Sequence, residues 1–255
     1  MSLPFLQSIV DYAGLFPPAA LPLAEAVANY ARYRKSPESW MLAKFVVPIA
    51  RAAEVDPSFP LSVLSSGDFT ADARLLAKLP NADAIEIKAS DAATIESAAR
   101  SLPDAIEKYF EIVDLSLLPA IAARHARAKI RTGGVTPEAF PDADFIVRFL
   151  IACAQSSVPF KATAGLHHPL RCYRRLTYAQ DSPSGWMYGF LNLFIAAAHA
   201  ADASTTEIRE ILLREAPDSF PEMSPILSRE RTQGIAFGSC SFEEPVADLK
   251  ALNLL

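Results

Sequence analysis

The chain of 255 residues has only three cysteines, nine glycines and four histidines, and no apolar run long enough to span a bilayer. Each shortage excludes something. Cys153, Cys172 and Cys240 show no C-x-x-C spacing, so neither a disulfide framework nor a zinc knuckle is indicated, and a reducing compartment is the simplest expectation. The glycines form no G-x-G-x-x-G and no G-x-x-x-x-G-K-S/T, which removes sequence support for a dinucleotide fingerprint or a P-loop. A net charge of -5 leaves no basic surplus to neutralise phosphates, so a general nucleic-acid partner is not expected. The opening MSLPFLQSIVDYAGLF carries no basic n-region and no cleavable apolar stretch, so a cytoplasmic protein with no membrane partner is expected.

What is present is 51% apolar and 21% charged residues, the composition of a globular chain long enough to bury its core without disulfides or a structural metal. Eight β-rich runs stand out: 8–14, 41–47, 61–66, 84–90, 109–114, 129–134, 159–165 and 235–241. Most are followed by a helical stretch: 22–34, 70–79 opened by Thr70 and Asp72, 91–101 opened by Ser90 or Asp91, 116–127 opened by Ser116, and 142–156 after Pro141. Strand alternating with helix eight times predicts an α/β chain folded as one (β/α)8 TIM-type barrel over 1–255, with an open doubly wound sheet as the alternative. The segment 171–189 is too long for a standard βα loop and is read either as a lid over the barrel mouth, bringing Trp186 and Tyr188 near it, or as a surface insertion. A helix is expected from Ser204 to Glu215.

Side chains at i and i+2 of a strand share a face. If Ile85 and Ile87 face the helices, Glu86 and Lys88 point inward; by the same alternation Glu111, Lys129, Arg131, Lys161 and Thr163 point inward, and Lys44 joins them from the second strand. An unpaired ion in a barrel core costs several kcal/mol, on the order of 3–5, so these charges must pair with one another or meet a ligand. Counting Lys44, Lys88, Arg131 and Lys161 against Glu86 and Glu111 leaves two positive charges in excess, which predicts an anionic ligand, a carboxylate or a phosphate. A closed network, with Glu86 on Lys44 and Glu111 on Arg131, is the structural alternative.

The strand ends add polar groups. KIRTGG carries Thr132 and Gly133, KATAGLHH carries Gly165, His167 and His168, and FGSCS carries Ser239 and Cys240. Glycine-rich turns after the seventh and eighth strands are the usual phosphate cradle of a barrel, with Gly165 and Gly238 as candidates. Adjacent His167 and His168 diverge, so no metal site is expected, and a capping or backbone-bonded role is the alternative for one of them. Asp11 reads equally as a catalytic carboxylate and as a helix cap, Cys240 as a small core thiol, and His125 and His199 as helix residues of surface or core.

DYAGLFPP, KIRTGG, PFKATAGLHHP and FGSCSFEEP resemble a group of uncharacterised bacterial barrel-type proteins over nearly the whole chain, which implies the fold and no chemistry. A narrower resemblance covers two strands: KATAG (161–165) is similar to the strand-seven lysine motif of deoxyribose-phosphate aldolases, and KIRTGG stands in place of their strand-six motif. In that family the strand-six lysine forms the imine and the strand-seven lysine is its electrostatic partner. The resemblance places Arg131, which forms no imine, at the strand-six position with Lys129 two residues earlier, and Lys161 at the partner position.

Three functions follow as expectations. A lyase of class I aldolase type would act on a small anionic carbonyl substrate, with Lys161 as nucleophile, its ammonium form disfavoured by Arg131 and Lys44, and Glu111 or Glu86 as proton relay. A phosphate-clamping transferase or isomerase would use the same cations without an imine, and a non-catalytic barrel would bind a small molecule. In each, Lys44, Lys88, Arg131, Thr132, Gly133, Thr163, Gly165, His167, His168, Asp11 and Ser239 are the candidate substrate-binding residues. No cofactor is called for, and these bounds are compatible with a homo-oligomer.

Overall fold

The computed structural model describes residues 3–220, 223–231 and 233–255. Its strands are β1 (Val10–Tyr12), β2 (Leu42–Pro48), β3 (Leu61–Leu64), β4 (Ala82–Lys88), β5 (Glu107–Glu111), β6 (Arg127–Arg131), β7 (Phe160–Thr163), β8 (Cys172–Arg175), β9 (Ser184–Met187) and β10 (Gly234–Ser239). Eight of them close into a parallel barrel in the order β1-β10-β7-β6-β5-β4-β3-β2, while β8 and β9 form a separate two-stranded sheet. The (β/α)8 barrel is therefore the fold, and the order rules out the open doubly wound sheet.

The helices are α1 (Leu23–Tyr33), α2 (Phe69–Leu76), α3 (Ala92–Ser101), α4 (Leu118–Ala123), α5 (Ala143–Gln155), α6 (Phe190–His199), α7 (Thr205–Leu213), α8 (Met223–Leu227) and α9 (Glu243–Ala251). Short polar side chains start several of them by taking up orphan amides: Asp91 caps α3, Asp142 caps α5, and Ser204 with Glu207 forms a capping box on α7. Two starts differ from expectation. Asp68 rather than Thr70 or Asp72 caps α2, because Asp72 is fully buried and spends both oxygens on Ser65 and Ser66. Asp114 rather than Ser116 caps the 3-10 turn that leads into α4. Between β2 and β3 the crossover is only a 3-10 segment, Ile49–Glu54.

Outward strand residues meet the helices in a continuous apolar layer. Phe160 stacks on Phe194, and Phe237 on Phe190, while Tyr12 and Phe45 pack against Tyr30 of α1. Fully burying an aromatic or branched side chain contributes about 1.5–3 kcal/mol, so this layer holds the barrel closed while its interior carries charge. Among the described residues no helix is long and apolar enough to cross a membrane.

The segment 171–189 is an ordered antiparallel hairpin of β8 and β9, with Cys172 opposite Met187. The Tyr188 hydroxyl donates to the Pro141 carbonyl at 2.8 Å, and Trp186 lines a cleft with Pro137 and Phe140 of the β6–α5 connection. The hairpin therefore lies at the carboxyl end of the barrel strands, as the lid reading required.

Candidate functional site at the carboxyl end of the barrel

The inward charges fall into two sets, one at each end of the barrel. At the amino end Glu107 receives Lys44 at 3.5 Å and Arg127 at 2.7 Å, and Arg127 also donates to the Tyr109 hydroxyl at 2.8 Å. Lys44 points inward as the alternation required, but it lines a cleft with Asp83 and Glu107 on the opposite side from the mouth. Its place one residue pair before Val46 on β2 decides this: Val46, not Lys44, is level with the site. Tyr109 separates the two sets, its ring 5.2 Å below the Lys161 ammonium.

The second set is an unbroken chain of alternating charge. Lys161 donates to Asp11, and to Glu86 Oε1 at 2.6 Å; Glu86 Oε2 receives Lys129 at 2.7 Å; Lys129 also reaches Glu111 at 2.6 Å; and Arg131 Nε donates to the other Glu111 oxygen at 3.1 Å. The register of the sheet makes this chain. Lys88 stands beside Glu111, Glu111 beside Lys129, and Lys129 beside Lys161 on successive strands. Ser62 of β3 adds a hydroxyl to Glu86 Oε1 at 2.7 Å, and Asp11 also accepts the Lys44 backbone N–H at 3.0 Å.

Three expectations change here. Asp11, Glu86 and Glu111 stand against Lys161, Lys129 and Arg131, so the site is balanced and carries no surplus of two positive charges. The expected count included Lys44, which serves the other end, and Lys88, whose side chain is exposed on the rim at the end of β4. It left out Lys129 and Asp11. The ammonium of Lys161 is also not destabilised. Burial works against its charge, but the carboxylates of Asp11 and Glu86 outweigh burial and hold its pKa above the ordinary lysine value. Glu86 mirrors it: burial opposes its charge, and Lys129 and Lys161 hold it well below the usual carboxylate range. Glu111 is lowered in the same sense by Lys129 and Arg131, against its own burial.

Above the chain opens a cavity of about 380 Å³. Glu86, Lys129, Lys161 and Arg131 form its polar side, and Phe16, Pro17, Val46, Leu64, Val135 and Ala139 its apolar side. Gly133, Thr163 and His167 also line it. Glu111 stands behind the lining and orients Lys129 and Arg131. Thr132 is fully buried and shapes the wall indirectly, its hydroxyl donating to the Ala164 carbonyl at 2.7 Å. Gly165 lies behind the same wall at φ +73, where an added Cβ would sit 2.7 Å from the Phe140 ring and 3.0 Å from the Gly133 Cα. Only glycine meets both conditions without strain. Ser239 is buried and accepts the Ser241 N–H at 3.3 Å, so it belongs to the β10–α9 turn rather than to the cavity.

His167 and His168 diverge as adjacent residues should. His167 faces Glu244 at 3.2 Å, while His168 faces Asp248 at 2.5 Å and lines a neighbouring cleft with Arg174 and Arg175. Among the described residues neither ring caps a helix, although the His168 carbonyl accepts the first amide of α6, from Phe190, at 3.0 Å. Cys240 is buried as expected of a small core thiol, and it also lines the cavity. Lys129 and the apolar wall are the features sequence reasoning left unassigned. The alternation that turned Arg131 inward turned Lys129 inward too, whereas no local signal distinguishes Val46 or Leu64 from any other inward aliphatic.

Two groups in this cavity retain donors. Arg131 uses Nε on Glu111, and among the described residues its terminal guanidinium nitrogens have no protein acceptor. The backbone N–H groups of Gly133, Gly134 and Ala164 likewise donate to no protein acceptor among the described residues. Unpaired amides and a guanidinium edge at strand ends suit an anion.

No family model and no curated protein sequence matches the chain. Among solved structures it is similar to mandelate oxidase with 3,3-difluoro-2-hydroxy-3-phenylpropionic acid, at 11% identity and TM-score 0.44 over 89% of this chain and 80% of that one. A mandelate oxidase mutant with benzaldehyde gives 11% identity and TM-score 0.45 over 92% and 85%. Likeness at this level carries no argument about chemistry, which must come from the site.

Proposed function

We propose that the protein is an enzyme that takes a small anionic carbonyl compound into the cavity and forms an imine with it at the buried lysine pair. The observation that carries this reading is the pair itself: Lys129 and Lys161, neighbours in register on β6 and β7, share Glu86 on the polar side of an open cavity. A barrel that needed only stability would fill this layer with branched aliphatics, since replacing buried ion pairs by well-packed apolar residues is often neutral or stabilising.

The charge pattern divides the roles. Among the described residues Lys161 shares Asp11 with no other cationic side chain, and it keeps its proton. Lys129 shares both of its carboxylates with another cation, Glu86 with Lys161 and Glu111 with Arg131. In the proposed reaction the Lys129 nitrogen, after giving a proton to solvent or to the bound substrate, attacks the carbonyl carbon. The carbinolamine hydroxyl then takes a proton from solvent and leaves as water, while Lys161 holds Glu86 ionised beside the new iminium and Glu111 orients Lys129. Arg131 and the amides of Gly133, Gly134 and Ala164 hold the anionic end of the substrate. Relative to the sequence reading, the nucleophile moves from Lys161 to Lys129, the residue that the sheet register sets opposite the partner lysine.

The test is reductive trapping. Wild type incubated with small 2-oxo acids or phosphorylated aldehydes and cyanoborohydride should gain the mass of one reduced adduct, mapped to Lys129 and absent in Lys129→Met. The free donors of Arg131 and the glycine turn also suit the second reading, a phosphate-clamping transferase or isomerase without an imine. Under that reading no adduct forms while phosphate still binds.

A further inference from the structure

The lysine chain does not use Cys240, yet the thiol is not sealed in the core. Three other segments bring His167, Tyr178 and Glu244 together beside it. Cys240 Sγ, just past β10, lies 4.0 Å from His167 Nδ1 in the turn after β7 and 3.6 Å from the Tyr178 hydroxyl in the β8–β9 connection. Glu244 Oε2, in the first turn of α9, lies 3.2 Å from the same His167 nitrogen and accepts the Tyr178 hydroxyl at 3.1 Å. Both Cys240 and His167 line the 380 Å³ cavity, and Cys240 is 6% exposed there.

The geometry is not that of a relay through both ring nitrogens, because sulfur and carboxylate share Nδ1. It places an imidazolium between a carboxylate and a thiol. Burial disfavours the charged ring, but Cys240 and Glu244 outweigh burial and His167 is pushed up to about 9, so it is a cation at neutral pH. The other thiols are kept protonated: burial pushes Cys153 up to about 12 and Cys172 up to about 11. Other charged or titratable groups beside this cluster are Arg174 and Arg175 of β8, which line a cleft with His167, Tyr178 and Glu244; Lys129, Arg131, Lys161 and Glu86, which line the cavity with Cys240; Tyr12 of β1; and His168, whose ring lies 6.5 Å from that of His167 and is held by Asp248.

We infer that Cys240 is a reactive thiol of the cavity, activated by the adjoining His167 ring, and a site of covalent modification by small anionic electrophiles that carry a leaving group. In the step itself the thiolate sulfur attacks the electrophilic carbon, the S–C bond forms as the carbon–leaving-group bond breaks, and the leaving group departs with the electron pair. The cationic ring beside the sulfur favours an electrophile bearing a carboxylate. The inference does not involve the lysines and stands or falls independently of imine formation.

Alkylation of the intact folded chain tests it. Iodoacetate and iodoacetamide are each added at about pH 6.5, and modified cysteines are mapped by peptide mass spectrometry over time. Cys240 should react at least about tenfold faster than Cys172, although Cys172 is the more exposed of the two, and iodoacetate should gain on iodoacetamide relative to free cysteine. His167→Gln should slow Cys240 alkylation about tenfold. Modification of Cys172 first, or a Cys240 rate unchanged by His167→Gln, would overturn the inference. If His167→Gln does not fold, the wild-type pH profile decides. A Cys240 rate that falls less steeply than that of free cysteine as pH drops from about 8 to 6.5 supports activation by the His167 ring, and one that drops about tenfold per pH unit, as for an ordinary thiol, refutes it.

Discussion

Replacing Lys161 with methionine probes the charged barrel most directly. The side chain is almost fully buried, and it is the only side chain among the described residues paired with Asp11, which is itself 3% exposed. Lys161→Met keeps most of the volume and leaves Asp11 with only the Lys44 backbone N–H, while Glu86 keeps Lys129 and Ser62. Removing one partner of a buried pair costs about 3–5 kcal/mol because the other charge is stranded. At about 2–4 °C per kcal/mol for a chain of this size, the thermal midpoint should fall by roughly 6–20 °C. Adding Asp11→Asn restores the charge balance, so the double variant should recover much of the loss, with a coupling of at least about 1 kcal/mol between the two sites. Urea and thermal unfolding of wild type, both single variants and the double variant at neutral pH give the cycle. An unchanged midpoint in Lys161→Met, or strict additivity, would refute the claim that the chain of charges is mutually compensated.

The same pairs set a pH window. Lys161 is raised on folding, so its contribution is intact below the unfolded lysine value of about 10.4 and is lost as pH climbs beyond it; Glu86 is lowered, so its contribution is present above about 4.3 and lost as pH falls. His167, pushed up to about 9, adds stability that is complete below 6.5 and declines toward pH 9, and Glu244→Gln should flatten that part of a stability-against-pH curve. Gly165→Ala should destabilise by about 1–3 kcal/mol, read by urea titration, because it meets both a left-handed backbone and the Phe140 ring; a neutral result would mean that the turn relaxes freely. Arg131→Gln should weaken phosphate or small-carboxylate binding by about tenfold or more in calorimetry, whereas Lys88→Gln, on the exposed rim, should leave it unchanged. Equal effects of the two would place the anion site elsewhere.

The sequence by itself determined the barrel, because alternation and capping are local. Ile85 and Ile87 can bury only on one face, which commits Glu86 to the other, and Asp91, Asp142 and Ser204 mark helix starts whatever the rest of the chain does. It also determined that charge lies inside. What alternation cannot give is height along the barrel axis, since a period of two fixes the face and not the layer. Lys44 and Lys129 look alike in sequence, yet the stagger between strands sends one to Glu107 at the amino end and the other to Glu86 at the site. Pairing across strands then settled the charges. A lysine read beside Arg131 and Lys44 appears ready to shed its proton, but the register set Asp11 and Glu86 against Lys161 and reversed that direction. Cys240 shows the same dependence. Between two serines it carries no signal, and only closure of the barrel, with α9 and the hairpin laid across its end, puts His167, Tyr178 and Glu244 around its sulfur.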